Sequence, residues 1–192
     1  MNTKLEILNK FRSPNNQVVL GAVEALRVRG WLQDGTLQSQ TFCRAQLQGA
    51  DLMSADLSGV DFHQVRLDWS DLSGANLRGA RFTRAILAFA NFAGTELHGA
   101  DFYKANLRGA IHLDDWQFST VSRLWGATMP DGQTYDGRYN LPGDIALAQW
   151  NKVDLHDPDQ MAAFYGVSTQ AYLNGQGLDA VQAFQPLALA VS

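Results

Sequence analysis

Residues 41–110 read TFCRA QLQGA DLMSA DLSGV DFHQV RLDWS DLSGA NLRGA RFTRA ILAFA NFAGT ELHGA DFYKA NLRGA, and the second residue of all fourteen blocks is Leu or Phe. A helix repeats its faces every 3.6 residues and a strand every 2, so an unbroken period of five fits neither. A strict five-residue repeat therefore requires the chain to change direction in every block. This part of the chain is predicted to be a solenoid.

Each block is predicted to form one short extended side and one corner. The residue two before the Leu or Phe is small, usually Ala, and a spacing of two places both side chains on the same inward face. The residue between them points outward and is mostly Asp or Asn. The last two outward positions are mostly polar or glycine, which is typical of turns because Gly adopts positive φ without a steric clash.

Phenylalanine recurs in these blocks with a longer period of 20 residues, at Phe42, Phe62, Phe82 and Phe102. This period indicates four blocks per coil, with the four phenylalanines stacked along one inner edge as a core ladder. Coils joined by backbone hydrogen bonds lie ~4.8 Å apart, so roughly three and a half coils would form a rod ~15–17 Å long.

Units such as Ala50-Asp51-Leu52 and Ala75-Asn76-Leu77 resemble the A(D/N)LXX repeat of the pentapeptide-repeat family. The resemblance covers about residues 35–111. It implies an all-β solenoid, a right-handed quadrilateral β-helix with four pentapeptides per coil. Members of the family have different roles and most have no known activity, so the resemblance implies a fold and no reaction.

The flanks divide the chain into three predicted parts: a helical N-terminal cap at 1–34, the β-helix at 35–111, and an irregular last coil with a helical C-terminal extension at 112–192. A solenoid this short exposes open edges and apolar core at both ends, and these must be capped. The apolar stretch 183–192 is predicted either to pack on the body or to form a loose tail.

Local signals place the first helices of the cap. Thr3 and Glu6 have the spacing of a capping box, and Ser13-Pro14 is predicted to begin the second helix as its N-cap and first residue. In the C-terminal part, the stretch 130–144 is dense in turn residues and is predicted to form loops, with short helices following it.

Composition restricts the class of protein. There is no apolar run of 18 residues, no signal-peptide pattern at the start, and only one cysteine, so we expect a cytoplasmic protein without a membrane span or an internal disulfide. The net charge is −4, but residues 40–111 carry seven basic and seven acidic side chains. The predicted solenoid is therefore electrically neutral.

One functional alternative follows from the family. It includes proteins that protect DNA gyrase by imitating duplex DNA, and such mimicry depends on dense negative charge. The neutral solenoid disfavours this alternative. A thin cationic corner column, formed by Arg44, Gln64, Arg84 and Lys104, also gives little support for nucleic-acid binding.

A second alternative is a hydrolase-like enzyme. Cys43 and His63 occupy the same outward position on successive coils, with Asp61 on the strand of His63. The surface there is convex and implies no pocket or oxyanion donors, so no catalytic residue is predicted. The histidines lack metal-ligand spacing, and neither a metal nor a cofactor is expected.

The clearest functional signal is a departure from the repeat. Outward positions that should be polar hold Trp69, Ile86 and Phe89, with Ala88 beside them. Exposed aromatic clusters on a solenoid are normally covered, either by the chain's own C-terminal part or by a protein partner or second subunit, and both remain open. We predict a non-enzymatic scaffold or protein–protein interaction module with these four residues as the candidate interaction patch.

Overall fold

The computed structural model describes residues 3–178, so the predicted apolar stretch 183–192 lies outside the described residues. The helices are α1 (Lys4–Asn9), α2 (Asn16–Arg27), α3 (Asp115–Thr120), α4 (Pro142–Trp150), α5 (Pro158–Tyr165) and α6 (Thr169–Gly175), with a 3₁₀ turn at Lys10–Arg12. Between α2 and α3 the chain forms a β-helix solenoid.

The solenoid is held by single parallel β-bridges. Each bridge joins the first residue of a block to the residue 20 positions later, from Thr41 with Asp61 to Asn91 with Ile111. A return after 20 residues means that four blocks complete one coil. Within residues 3–178 every bridge is isolated and no run of paired residues makes a longer strand, because each side turns a corner after one pair.

The Asp or Asn at the start of a block holds the corner that follows it. Its side-chain oxygen accepts a hydrogen bond from the backbone N–H two residues later, as for Asp71 with Ser73 (2.8 Å) and Asn106 with Arg108 (3.0 Å). Eight blocks carry this bond. Asp and Asn suit the position because their short side chains reach a backbone N–H two residues on.

The fourth residue of every block has a left-handed backbone. In all fourteen blocks its φ lies between 54° and 72°. Seven of these residues are glycine, which adopts this conformation without a steric clash. The other seven carry a Cβ and are strained by about 1–2 kcal/mol each.

The largest side chains of the interior form one column of rings. The centroids lie 6.0 Å apart for Phe42 and Phe62, 5.3 Å for Phe62 and Phe82, and 4.9 Å for Phe82 and Phe102. Phe11, in the 3₁₀ turn, adds a fifth ring 4.4 Å from that of Phe42. Such pairs contribute about 0.5–1.5 kcal/mol beyond their buried area. The N-terminal segment thus continues the core of the first coil.

The N-terminal helices contact the first coil through its backbone. Asn16 Nδ2 donates to the carbonyls of Gln46 (2.9 Å) and Gln48 (3.1 Å). The backbone N–H of Asp56 donates to the carbonyl of Leu32 (2.8 Å). These bonds satisfy groups of the first coil that have no preceding coil to pair with.

The helix starts agree only in part with the sequence signals. The capping box of Thr3 and Glu6 is present at the start of α1. The predicted start of the second helix at Ser13-Pro14 is wrong by two residues, because Asn15 is the N-cap of α2 and its side chain accepts the first free N–H. Asn is as good an N-cap as Ser, so the two signals competed at adjacent positions.

The coil continues beyond residue 111 with two extra residues. Asp101 pairs with Arg123 and Asn106 with Thr128, a spacing of 22 instead of 20. The segment that contains α3 replaces part of this coil, so the five-residue phase is lost in the sequence while the ladder continues in space.

Asp144, in the first turn of α4, ends this ladder. Its carboxylate accepts hydrogen bonds from the N–H groups of Leu124 and Trp125 at 2.9–3.2 Å. In earlier coils such N–H groups bond to the next coil or to the Asp or Asn of their own block, but this block begins with Arg123. Asp144 is fully buried, and burial raises its pKa to about 6 although the two N–H groups oppose the shift.

The prediction of loops throughout 130–144 is wrong at its end. Pro142 is the first residue of α4, which runs to Trp150. Proline is favoured there because the first residue of a helix needs no N–H donor. The sequence Pro142-Gly143-Asp144 is compatible with a turn and with the start of a helix. In the structure these three residues are the first turn of α4.

Candidate interaction site

The predicted patch lies at one corner of the solenoid, where two aromatic rings stack in the open. Trp69 and Phe89 are the fourth residues of blocks one coil apart, with ring centroids 4.3 Å apart and planes within 15°. Trp69 is 66% exposed and Phe89 44%. Ile86, on the side leading to this corner, is 37% exposed, and Ala88 is partly buried. These four residues are called the aromatic corner below.

The backbone at the aromatic corner is unfavourable for the residues it carries. Trp69 has a φ of 63° and Phe89 a φ of 61°, both in the left-handed region. A residue with a Cβ loses about 1–2 kcal/mol there relative to a normal conformation. The neighbours in the same column are Gly49 and Gly109, which adopt this conformation without that loss. The two rings are therefore held at a position where glycine would fold more easily.

Gly109 provides space for the ring of Phe89. A Cβ built on Gly109 would lie 2.4 Å from Phe89 Cε1, whereas one built on Gly49 would meet nothing within 4 Å. The stack therefore leans along the solenoid towards Gly109 and covers its backbone. The other end of the stack, at Trp69, is the more open one.

The C-terminal helices pack against a different side of the solenoid. The ring of Trp125 stacks 5.4 Å from that of Tyr103, and its Nε1–H donates to the carbonyl of Phe164 in α5 at 2.8 Å. In the part of the chain that ends at residue 178, the C-terminal helices leave the aromatic corner exposed. Cover by these helices, one of the two alternatives left open by the sequence, is therefore wrong for the described part.

Two of the three basic residues in the predicted cationic column, Arg44 and Lys104, make local contacts. Arg44 Nε donates to Gln64 Oε1 at 2.8 Å, and Lys104 Nζ lies 4.9 Å from the ring centroid of Trp125. Next to the aromatic corner, Arg66 pairs with Asp68 at 3.2 Å. The charges around the patch are thus balanced and leave the stacked rings as its most distinctive feature.

The cysteine of the catalytic alternative is not activated. Although Cys43 is exposed as a residue, desolvation of its thiol and the carboxylate of Asp61 raise its pKa. A nucleophilic cysteine requires a lowered pKa, because the thiolate is the reactive species. No group of three or more His, Cys, Asp or Glu side chains that could hold a metal ion occurs between residues 3 and 178, and no helix in that range could cross a bilayer.

The structure also contains a groove that the sequence reasoning missed. It has a volume of about 850 Å³ and lies between α3 and the coil at residues 93–98. Trp116 on α3 is 72% exposed at its edge, and His98 and His112 line it. The available signal was the loss of phase at His112 followed by Trp116, which the sequence analysis treated only as an irregular last coil.

The 20-residue ladder and left-handed corners define the middle of the chain as a β-helix repeat protein. The family model for pentapeptide repeats matches residues 37–78 and 75–111 with eight copies. This part of the chain therefore consists of pentapeptide repeats, as the resemblance of the sequence predicted.

Solved structures of other pentapeptide-repeat proteins are similar to the chain. HetL from the cyanobacterium Nostoc sp. strain PCC 7120, a protein involved in heterocyst differentiation regulation, is 31% identical with a TM-score of 0.44 over 47% of this chain and 37% of HetL. Rfr23 from Cyanothece 51142 is 26% identical with a TM-score of 0.24 over 46% of this chain and 63% of Rfr23. In both cases the chain spans less than two thirds of the relative's length.

A third similar structure is QnrB1, a plasmid-mediated fluoroquinolone resistance protein. It is 15% identical, with a TM-score of 0.23 over 48% of this chain and 62% of QnrB1. No curated protein sequence matches the chain.

Proposed function

We propose that this chain is a non-enzymatic scaffold that binds a protein partner through the aromatic corner, Trp69, Ile86, Ala88 and Phe89. In this proposal the solenoid is a right-handed quadrilateral β-helix in the cytoplasm. The N-terminal helices act as a cap that prevents edge-to-edge association of the first coil. The rigid coils then hold the interaction surface in one geometry.

One observation carries this proposal: two exposed aromatic rings are stacked on a backbone that disfavours them. The strain of Trp69 and Phe89 amounts to about 1–2 kcal/mol each, and the exposed apolar surface adds no stability. Buried aromatic anchors dominate the energetics of protein interfaces, with Trp among the most frequent. Strained residues at exposed sites are typical of binding sites, and a partner would bury these rings.

Two alternatives fit the site less well. A DNA mimic needs dense negative charge, whereas residues 40–111 carry equal numbers of acidic and basic side chains. An enzyme with Cys43 as nucleophile needs a lowered thiol pKa, and the pKa of this thiol is raised. The observations therefore favour a binding surface.

The test compares the wild type with Trp69→Ala/Phe89→Ala and with Trp150→Ala. Trp150 is 80% exposed on α4 and serves as a matched control for the loss of an exposed tryptophan. The partner is identified from proteins retained by the wild type and Trp150→Ala but lost with the double variant, and binding is then measured with the purified partner. We expect a loss of affinity of at least about tenfold in the double variant only.

The stability of the double variant separates the remaining outcomes. Because the rings are exposed, the free energy of unfolding should change by less than about 1 kcal/mol. A loss of several kcal/mol would contradict the proposal, since it would show that the chain itself covers the rings. A wild type that forms dimers in sedimentation, with a monomeric double variant, would replace the separate partner by a second copy of the chain.

A further inference from the structure

The hydrogen-bond ladder of the solenoid follows one rule at two positions of each block. The N–H of the second residue donates to the carbonyl of the first residue in the block one coil later, as from Leu77 to Glu96 (2.9 Å). The N–H of the fourth residue donates to the carbonyl of the third residue in the same later block, as from Gly79 to His98 (2.9 Å). Thirteen of the fourteen blocks obey the rule at each position.

The two exceptions lie next to each other and line the same groove. Among the residues that the structure describes, Gly94 N–H and Leu97 N–H have no protein acceptor. Both are on the coil that faces α3, where the chain leaves the path of the repeat. A backbone donor without a partner is unfavourable when it is shielded from water, and Leu97 is 2% exposed.

The side chain of Gln117 donates to the Thr95 carbonyl, which no backbone N–H of a following coil within residues 3–178 reaches, and leaves the N–H groups of Gly94 and Leu97 unpaired. Its Nε2 donates to the carbonyl of Thr95 (3.3 Å), to Thr95 Oγ1 (3.1 Å) and to the carbonyl of Phe92 (3.5 Å). Gln117 is 5% exposed and lies beneath the coil. One buried amide thus replaces the backbone donor that a following coil would give to Thr95, and beside the groove the N–H groups of Gly94 and Leu97 remain without an acceptor in the described part of the chain.

The chemistry of the groove favours a peptide backbone over a small anion. The missing acceptors are two carbonyls of a neighbouring extended segment, which a bound polypeptide can supply. The groove has no surplus of positive charge, because Arg78 lies 3.9 Å from Glu96, and Asp114 accepts from the first turn of α3. Trp116 provides an exposed ring against which an apolar side chain can pack.

We propose that the groove between α3 and residues 93–98 binds an extended polypeptide segment of a partner protein by strand addition. Backbone carbonyls of the segment accept from Gly94 N–H and Leu97 N–H, and an apolar side chain packs on Trp116. The bound segment completes the ladder at the point where the chain leaves the repeat. This site is separate from the aromatic corner, so the two proposals stand or fall independently.

The probe is a library of random dodecapeptides displayed on phage and selected on the full chain. Selected peptides are synthesised, and their affinities are measured for the wild type, Trp116→Ala and the matched control Trp150→Ala. We expect the Trp116→Ala variant to lose at least about tenfold in affinity and Trp150→Ala to bind like the wild type. Circular dichroism of Trp116→Ala checks that its fold is retained.

Amide resonances test the ladder itself. In ¹H–¹⁵N spectra we expect the peptides to shift the amide signals of Gly94 and Leu97 and to slow the hydrogen exchange of both. The signals of Gly74 and Leu77, the equivalent donors one coil earlier, serve as internal controls because they are already paired, with the carbonyls of Ala93 (2.7 Å) and Glu96 (2.9 Å).

Three results would overturn the proposal. The first is a selection that enriches no peptide, or peptides that bind Trp116→Ala as well as the wild type. The second is binding without a change at Gly94 or Leu97. The third is an equal shift of these amides by millimolar acetate or inorganic phosphate, which would identify an anion site instead.

Discussion

At the residue scale, the fourth position of a block distinguishes residues that suit the fold from residues that serve another role. Its left-handed backbone favours glycine, so a bulky residue there needs another reason to be present. Polar residues at another corner, Arg44 and Gln64, pair with each other. Trp69 and Phe89 instead stack on each other and remain open to solvent. A binding role accounts for both the strain and the exposure.

A comparison of two glycines tests how the stack is supported. Gly109 and Gly49 lie in the same corner column and both have a φ of 69°. Ala at either position should lose about 1 kcal/mol from its backbone conformation. Gly109→Ala should lose more, because its Cβ would overlap the ring of Phe89, whereas Gly49→Ala meets open space. Urea unfolding of both variants measures this difference, and equal losses would contradict the described position of the ring.

The buried carboxyl of Asp144 predicts a pH dependence of stability. Burial raises its pKa to about 6, above the ordinary value of 3.8 that applies to the unfolded chain. The unfolded state therefore loses this proton at a lower pH than the folded state. The stabilising contribution is fully present below about pH 4 and is lost as the pH rises through 6, by about 3 kcal/mol in total.

Asp144→Asn provides the reference for this measurement because asparagine does not titrate. Urea unfolding between pH 4 and 7.5 should show the wild type losing stability relative to the variant as the pH rises. Carboxyls with a lowered pKa, such as those of Asp51 and Asp56, act in the opposite direction and increase stability as the pH rises. This increase is complete near pH 4, at the lower end of the range measured. Parallel curves for the two proteins would show that Asp144 stays ionised when folded.

At the scale of the elements, the Asp or Asn that begins a block is predicted to stabilise its corner. Asp71 accepts from Ser73 N–H at 2.8 Å and from Asn91 Nδ2 at 3.2 Å. Asp71→Ala should lower the free energy of unfolding by about 1 kcal/mol, as expected for a lost cap. Arg81→Ala, at the same block position, removes only an exposed ion pair and should cost less than about 0.5 kcal/mol. Equal effects would show that the first position is not a cap.

The elements also show which parts of the fold the sequence can predict. The solenoid was predictable because every block repeats the same inward pair and the same corner, so one local rule applies fourteen times. Outside the repeat each element occurs once. Three such features depend on packing between segments far apart in sequence: the N-cap of α2 at Asn15, the helix that begins at Pro142, and the contact of Phe11 with the first coil.

The candidate sites differ in the same way. The aromatic corner was predictable because apolar residues at outward positions violate a known pattern. The groove at α3 was not predicted, because the loss of phase at His112 shows only that the repeat ends, and Gly94 and Leu97 are ordinary members of the repeat. Only the position of α3 leaves their N–H groups without a coil to pair with.

At the scale of the whole molecule, the net negative charge lies in the C-terminal part of the sequence, and the solenoid has no net charge. Residues 40–111 carry seven basic and seven acidic side chains, whereas residues 112–192 carry three basic and nine acidic. Interspersed charges of both signs produce only a weak long-range field, so association through the solenoid should depend on contact surfaces more than on electrostatic steering.

This distribution predicts how the protein behaves towards DNA gyrase. A protein that imitates duplex DNA must present dense negative charge along its length, because phosphate charge dominates what DNA-binding surfaces recognise. The balanced solenoid should therefore neither inhibit supercoiling by purified gyrase nor protect it from a quinolone, even at micromolar concentration. A DNA-mimicking member of the family serves as the positive control in the same supercoiling assay. Inhibition comparable to that control would mean that the acidic C-terminal part supplies the charge that the solenoid lacks, and the aromatic corner would then not be the principal binding surface.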